Sequence, residues 1–350
     1  MPVINLHERY AKEIQTRFTT ESLLAGHLSK GYSFSGVRTV KISTPVTVPM
    51  TDYVRNGSNR YGTPVEMEDV VQELTLSQDK AFTLTIDKGN NADQNGIKEA
   101  GKMLSLQINE RAIPLMDKYG FMRLSMLAGK INGESGALTK STVCERITKG
   151  TTYMDDREVP AFNRVLFVPS DTYAKLRLSE EFKSCDALME KSLSKGQVGT
   201  YDGMKVIKVP ASRWPANVNF IIVHKSAACA PVKLNDTKFH KDPPGISGNL
   251  LEGRQYYDLF VFGAKCDGVY ADVNTANGAA TICATPKLES KTLSTTTPSA
   301  LIKYTTDGSD PRYSASAKIA TGALEESDVT VKAYAYKDGA FPSEVLEATL

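Results

Sequence analysis

Apolar and polar residues alternate over residues 81–87, with Phe82, Leu84 and Ile86 on one side and Thr83 and Thr85 on the other. A period of two predicts a strand. The turn-rich stretch 88–96 follows, and then the period changes. Ile97, Ala100, Leu104, Ile108, Ala112 and Leu115 recur at helical spacing and make one apolar stripe. Asp93 and Asn95 are the candidate caps of its first turn. Pro114 lacks an N–H and clashes one turn back, so the helix is expected to kink or break there. A long strand feeding a long helix over residues 81–130 is the unit around which the chain is organised.

The residues before it are strand-like but polar. Val37, Val40, Ile42, Val46 and Val48 alternate, interrupted by Pro45 and Pro49. Proline cannot donate to a ladder, so these are edge strands or an exposed ribbon. Asn56-Gly57 and Tyr61-Gly62-Thr63-Pro64 are turn signals. Residues 65–87 then read as the returning limb. The pattern predicts an outbound strand, a turn-rich tip and an inbound strand. A two-stranded ribbon is marginal in water, so a partner surface is expected, from another subunit. Residues 1–35 form an arm in which Leu6, Tyr10 and Ile14 recur at helical spacing. Such a segment is either a frayed terminus or an element that docks on a neighbouring domain or subunit.

Residues 131–275 read as a mixed α/β domain. Strands are predicted at 164–170, 204–209, 218–223, 254–263 and 265–271, with Asp171 as a helix N-cap after the first. Residues 183–199 read as a helix dissolving into a loop. Residues 272–286 are small and polar, as in a linker. From residue 287 onward, short alternating strands rich in Ser, Thr, Val and Tyr are separated by Asp-Gly turns, which predicts a small all-β sandwich.

A chain of 350 residues suits two or three domains. The formal net charge of +2 gives no gross pull toward nucleic acid or membrane. Cys144, Cys185, Cys229, Cys266 and Cys283 are odd in number, widely spaced and free of CxxC pairs, so free thiols in a reducing compartment are expected. The N-terminal residues show no apolar core of a secretory signal. No apolar run approaches the roughly 20 residues of a membrane helix. The expectation is a soluble protein made in a cytoplasm.

Candidate chemistry changes this picture little. His7, His27, His224 and His240 fall in no metal-ligand spacing, and no GxSxG, GxxxxGK[ST] or GxGxxG occurs. His224, at the end of an apolar strand, reads as structural. Asp155, Asp156 and Glu158 read as a solvated acidic turn in a loop. Residues 85–94 are rich in Asp and Asn but lack the DxDxDG pattern and terminal Glu of a calcium loop. Asp307 and Asp310 are turn formers in Asp-Gly and Asp-Pro pairs. No catalytic residue, cofactor or metal is expected, and the chain is not read as an enzyme.

Two resemblances cover most of the chain. Over residues 30–275 the order of arm, ribbon, long helix and α/β domain resembles the major capsid proteins of tailed bacteriophages, the Hong Kong 97-type fold. The wording of GVRTVKISTPVTVPMTDYVR, QDKAFTLTIDKGNNADQ, VLFVPSDTYAKL and DPPGISGNLLEGRQYYDLFVF is similar too. The second covers residues 285–350. Tyr304, Thr305, Asp307, Gly308, Asp310 and Pro311, then Lys332, Ala333, Ala335, Gly339 and Ser343, resemble the chitobiase C-terminal-type immunoglobulin-like domain. Together they imply an α+β class: N-terminal arm (1–35), extended β-loop (36–94), capsid core with spine helix, peripheral domain and axial domain (95–284), and an immunoglobulin-like β-sandwich (285–350).

The resemblance implies a structural protein of a virion. It would self-assemble as hexamers and pentamers into an icosahedral shell in the host cytoplasm. It would enclose double-stranded DNA without sequence preference and meet capsid accessory or portal proteins, with the sandwich on the outer surface. Residues 88–96 would be the hinge between ribbon and spine. The rival reading is a carbohydrate-binding or cell-surface adhesion protein. It rests on Tyr304, Tyr313, Tyr334 and Tyr336 as exposed rings for host-surface glycans, although tyrosines alternating along strands also serve as core or cross-strand pairs.

Overall fold

A computed structural model describes residues 21–31, 39–48, 50–56, 58–64, 66–67, 69–88, 100–180, 197–325 and 329–350. The arm positions Leu6, Tyr10 and Ile14, the cap candidates Asp93 and Asn95, most of the expected hinge and the loop after residue 180 lie outside these.

Strands β1 (Thr39–Pro45) and β2 (Asp69–Thr75) pair antiparallel, with Thr39 opposite Thr75 and Pro45 opposite Asp69. They are the two limbs of the ribbon. Strand β3 (Gln78–Asp87) is not its returning limb. The period of two correctly marks a strand but does not name a partner. β3 leaves the ribbon at residues 76–77 and becomes the edge of a separate three-stranded sheet.

Helix α1 (Ala100–Gln107) passes through a π-helical turn (Ile108–Ala112) into α2 (Ile113–Met126). Here Ile113 N–H reaches back to the Ile108 carbonyl, five residues away. Pro114 stands in the first turn of α2, where its missing N–H costs little. The widened turn thus absorbs the proline without ending the helix. α2 stops at Met126, four residues short of the end expected at 130, and residues 130–134 form strand β4 (Lys130–Glu134).

Helix α3 (Val143–Asp156) places Val143, Ile147, Gly150 and Met154 on one buried face. Asp155 and Asp156 end this helix and do not sit in a loop. Strand β5 (Arg164–Pro169) leads into α4 (Ser170–Leu178). Asp171 is inside the first turn and binds Lys175 Nζ at 2.6 Å; the cap position is Pro169. β6 (Gln197–Tyr201) and β7 (Met204–Val209) form a hairpin whose Asp202 and Gly203 both take positive φ, a primed turn. β8 (Val218–His224) and β9 (Ala228–Cys229) follow.

β10 (Val232–Lys241) and β11 (Gly248–Tyr257) complete the sheet with β3, in the order β10-β11-β3. Gly253 lies opposite Phe82, whose ring occupies the place of the missing side chain: a Cβ on Gly253 would stand 2.3 Å from it. β12 (Phe260–Val261) pairs with β9. A short 3-10 segment (Gly263–Gly268) then precedes β13 (Val269–Asn274), so the strands expected at 254–263 and 265–271 are displaced.

The six-stranded sheet runs β4-β13-β8-β5-β7-β6. Its central strands are apolar on both faces because both are covered. Val165, Phe167, Ile221, Val223, Ala271 and Val273 face the spine residues Phe121 and Leu124. Their neighbours Leu166, Val168, Phe220, Ile222 and Tyr270 face Ile147 and Met154 of α3 and Leu176 of α4. Within this layer Asp272 is fully buried. It accepts from Arg146 Nη2 at 2.6 Å, and from Asn132 Nδ2 and Asn219 Nδ2 at 2.9 Å each. Burial pushes its carboxyl up from the ordinary value, and these donors oppose that push.

The C-terminal strands are β14 (Lys287–Glu289), β15 (Thr292–Ser294), β16 (Leu301–Thr305), β17 (Lys318–Ile319), β18 (Thr330–Tyr336) and β19 (Leu346–Thr349). A β14–β15 hairpin and a sheet of order β17-β16-β18-β19 enclose Leu293, Ile302, Leu324, Val331, Ala333 and Ala335.

Candidate assembly interface

Three features surround the body: the ribbon, the arm and the sandwich. At the root of the ribbon, Leu74 and Leu76 are buried with Cys229, Phe260 and Phe262, and Val40 and Ile42 pack against them. Gln72 donates from Nε2 to the Val261 carbonyl at 2.8 Å and accepts the Gly263 N–H at 2.9 Å. Farther out, none of the described residues between 46 and 67 is buried. Met50 is 99% exposed and Tyr61 87%, and Val48, Tyr53, Val54 and Met67 are exposed beside them. The Tyr53 and Tyr61 rings meet edge to face at 5.1 Å, and Val54 N–H bonds the Arg60 carbonyl at 3.1 Å. The tip is therefore an ordered turn that presents apolar groups to solvent, which marks an interaction surface.

The described part of the arm docks on its own body. Leu23, Leu24 and Leu28 enter the main core. Asp117 of α2 accepts Ser22 Oγ at 2.7 Å, Leu23 N–H at 3.1 Å and Arg213 Nη1 at 2.9 Å. One carboxylate so joins arm, spine and core. Sequence reading missed Asp117 and Arg213, which are 96 residues apart.

The sandwich is fixed to the end of α2. Tyr313 Oη donates to the Leu127 carbonyl at 2.7 Å, and Arg312 Nη1 donates to those of Ala128 and Gly129 at 3.1 and 2.8 Å. Asp310 holds the Arg312 fork, with Nη2 at 2.7 Å. Asp310 is also a turn former, accepting the Arg312 N–H at 2.9 Å, as Asp307 accepts that of Ser309 at 3.0 Å. The strand β4 begins just after Gly129, whose backbone lies against residue 266: a Cβ there would stand 2.3 Å from the Cys266 carbonyl oxygen. The obstacle is backbone and does not swing aside. Gly129→Ala is expected to cost about 2–3 kcal/mol, the upper part of the overpacking range, read as a lowered urea midpoint at unchanged m-value.

The four tyrosines divide. Tyr313 and Tyr334 are 8% and 9% exposed, so they are not open rings for a sugar. Burial pushes the Tyr334 phenol up to about 12. Tyr304 is half-buried against the sandwich core. Tyr336 stacks on Tyr334 at 5.7 Å and carries Lys303 Nζ at 5.3 Å from its ring centre. A period of two placed Tyr334 and Tyr336 on one face but did not say that Tyr334 is buried there while Tyr336 is only half-buried.

His224 is buried, with Nδ1 2.9 Å from Ser226 Oγ, and desolvation lowers its pKa. Cys144, Cys229, Cys266 and Cys283 are buried thiols outside any disulfide. Among the described residues, no group of three or more His, Cys, Asp or Glu side chains is placed to hold a metal ion. No helix among them is long and apolar enough to cross a membrane.

Comparison with solved structures settles the architecture. A structure from Mycobacterium phage Che8 matches at TM-score 0.61 and 16% identity, over 79% of this chain and 100% of that one. The mature capsid of bacteriophage PhiM1 matches at 0.59 and 12%, over 77% and 91%. The capsid of cyanophage P-SCSP1u matches at 0.59 and 11%, over 78% and 94%. The fold is that of phage capsid proteins. In the terms of this Hong Kong 97-type fold, β1 and β2 are the extended loop, and α1 with α2 is the spine helix. The Che8 chain is matched along its whole length, so part of the present chain has no counterpart in it. The Fn3 associated family matches residues 292–350, which agrees with an immunoglobulin-like sandwich appended to it. No curated protein matches the chain.

Proposed function

We propose that this chain is the major capsid protein of a tailed phage. It assembles as hexamers and pentamers into an icosahedral head shell around double-stranded DNA, in the cytoplasm of the host, and remains in the virion. The observation that carries this reading is an ordered extended loop whose apolar side chains face solvent on a body with a capsid fold. A subunit that exposes such groups gains by laying them on its neighbour. Repetition around a closed shell multiplies contacts that are individually weak. The near-neutral charge suits a shell that holds DNA without reading it. The role is structural rather than catalytic, and the sandwich lies on the outer surface.

Negative-stain microscopy of the expressed full chain tests the proposal. Closed shells of uniform diameter are expected. Protein that stays monomeric by light scattering under all assembly conditions would sink it. For the glycan reading only Tyr304 and Tyr336 remain accessible, and both already pack on protein neighbours.

A further inference from the structure

The sandwich is attached to the body by more than its linker. Its loop 310–315 meets two different elements at once. On one side lie the three carbonyls that follow the spine helix, of Leu127, Ala128 and Gly129. Leu127 is the C-cap of the helix, whose carbonyl has no intrahelical donor, and the carbonyls of Ala128 and Gly129 belong to the turn that follows. Here the donors come from about 185 residues away, from Arg312 and Tyr313. Arg312 is held in place by Asp310 and rests on the Tyr313 ring at 5.2 Å. Tyr313 itself belongs to the main core of the body.

On the other side lies the root of the extended loop. Ala315 N–H donates to the Val71 carbonyl of β2 at 3.2 Å. The next residue of β2, Gln72, is bonded to Val261 and Gly263, and Gly263 in turn lies under Tyr313. A Cβ on that glycine would stand 3.0 Å from the Tyr313 Cβ. The loop, the ribbon and the body border a half-open pocket of about 170 Å³, lined by Thr44, Val70, Gly263, Ala264, Tyr313 and Ser314 among others.

We propose that the sandwich is a brace: its 310–315 loop ties the root of the extended loop to the end of the spine helix and so sets the direction in which the ribbon leaves the body. Decoration of a surface requires a tether and an outward face. It requires neither donors aimed at the end of the spine nor a backbone bond to the ribbon. The Arg312 side chain is only 10% exposed, and Asp310 and the two carbonyls hold it in the joint together. The brace is a property of the single chain and stands apart from whether that chain builds shells.

Hydrogen exchange on the full chain tests it. Arg312→Ala removes the bonds to Ala128 and Gly129. Amides of β2 near Val71 are expected to exchange about tenfold faster, while those of β5 and β8 in the body and of β16 and β18 in the sandwich keep their protection. Should Arg312→Ala fail to fold, Tyr313→Phe deletes only the hydroxyl bond to Leu127, and about threefold faster exchange at the same amides is expected. Wild-type exchange in β2 together with faster exchange in loop 310–315 would overturn the proposal, since the sandwich would then be undocked and the ribbon unaffected.

Discussion

A chain in which residues 46–68 are replaced by Asn-Gly is expected to stay folded and monomeric and to close no shells. The first half of this result follows from burial: none of the described residues between 46 and 67 is buried. It follows also from where the ladder ends. Pro45 and Asp69 are the last pair of β1 and β2, so a two-residue turn of the Asn-Gly kind can join the limbs there. Leu74, Leu76, Val40 and Ile42, which hold the root, are untouched. What disappears is the exposed set around Met50, Tyr53, Tyr61 and Met67. Covering each such side chain on a neighbour contributes about 1.5–3 kcal/mol. Several per subunit are comparable with a whole weak interface, and the loss recurs at every subunit of the shell. Light scattering should report a monomer with the thermal midpoint of the intact chain, and micrographs should show no shells. Shells of normal size from this variant would remove the extended loop from the assembly mechanism.

Asp117→Ala is expected to lower stability by about 3–5 kcal/mol. The Asp117 and Arg213 side chains are 3% and 6% exposed, so the change takes its carboxylate from a buried guanidinium that keeps the Glu21 carbonyl at 3.0 Å. It also removes the acceptor of Ser22 Oγ and Leu23 N–H, so the arm loses its polar attachment to the spine. Urea denaturation measures the loss. The double variant Asp117→Ala/Arg213→Met separates the causes: with the uncompensated buried charge gone, much of the stability should return, although the arm remains loosened. A double variant as unstable as the single one would show that the arm contacts, and not the buried charge, set the cost.

The elements of this fold were legible where one strong local pattern sufficed. The continuous apolar runs of β5 and β8 announced covered strands, and the helical stripe around Leu104 and Ile108 announced the spine. The Asp-Gly turns marked the sandwich. Partners were less legible. β3 alternates as a ribbon limb would, yet pairs with β11, more than 160 residues on, where Gly253 leaves room for Phe82. Helix α3 was missed because Gly150 and a run of threonines mask its stripe of Val143, Ile147 and Met154. The polar joints were not legible at all. Asp117 with Arg213, Asp272 with Arg146, and Arg312 with the end of the spine are each made by residues far apart in the chain, which carry no pattern before they meet.

The pairing of β3 with β11 has a consequence for synthesis on the ribosome. β11 begins at Gly248, 161 residues after β3 ends at Asp87 (248 − 87 = 161). At about 5–20 residues per second, β3 therefore emerges roughly 10–30 s before the strand that will cover its edge. During that interval its ladder groups and the ring of Phe82 have no partner from their own sheet. Neighbouring nascent chains carry the same unpaired edge, so the yield of this protein should depend on how crowded its message is with ribosomes, and on chaperones that shield an open strand.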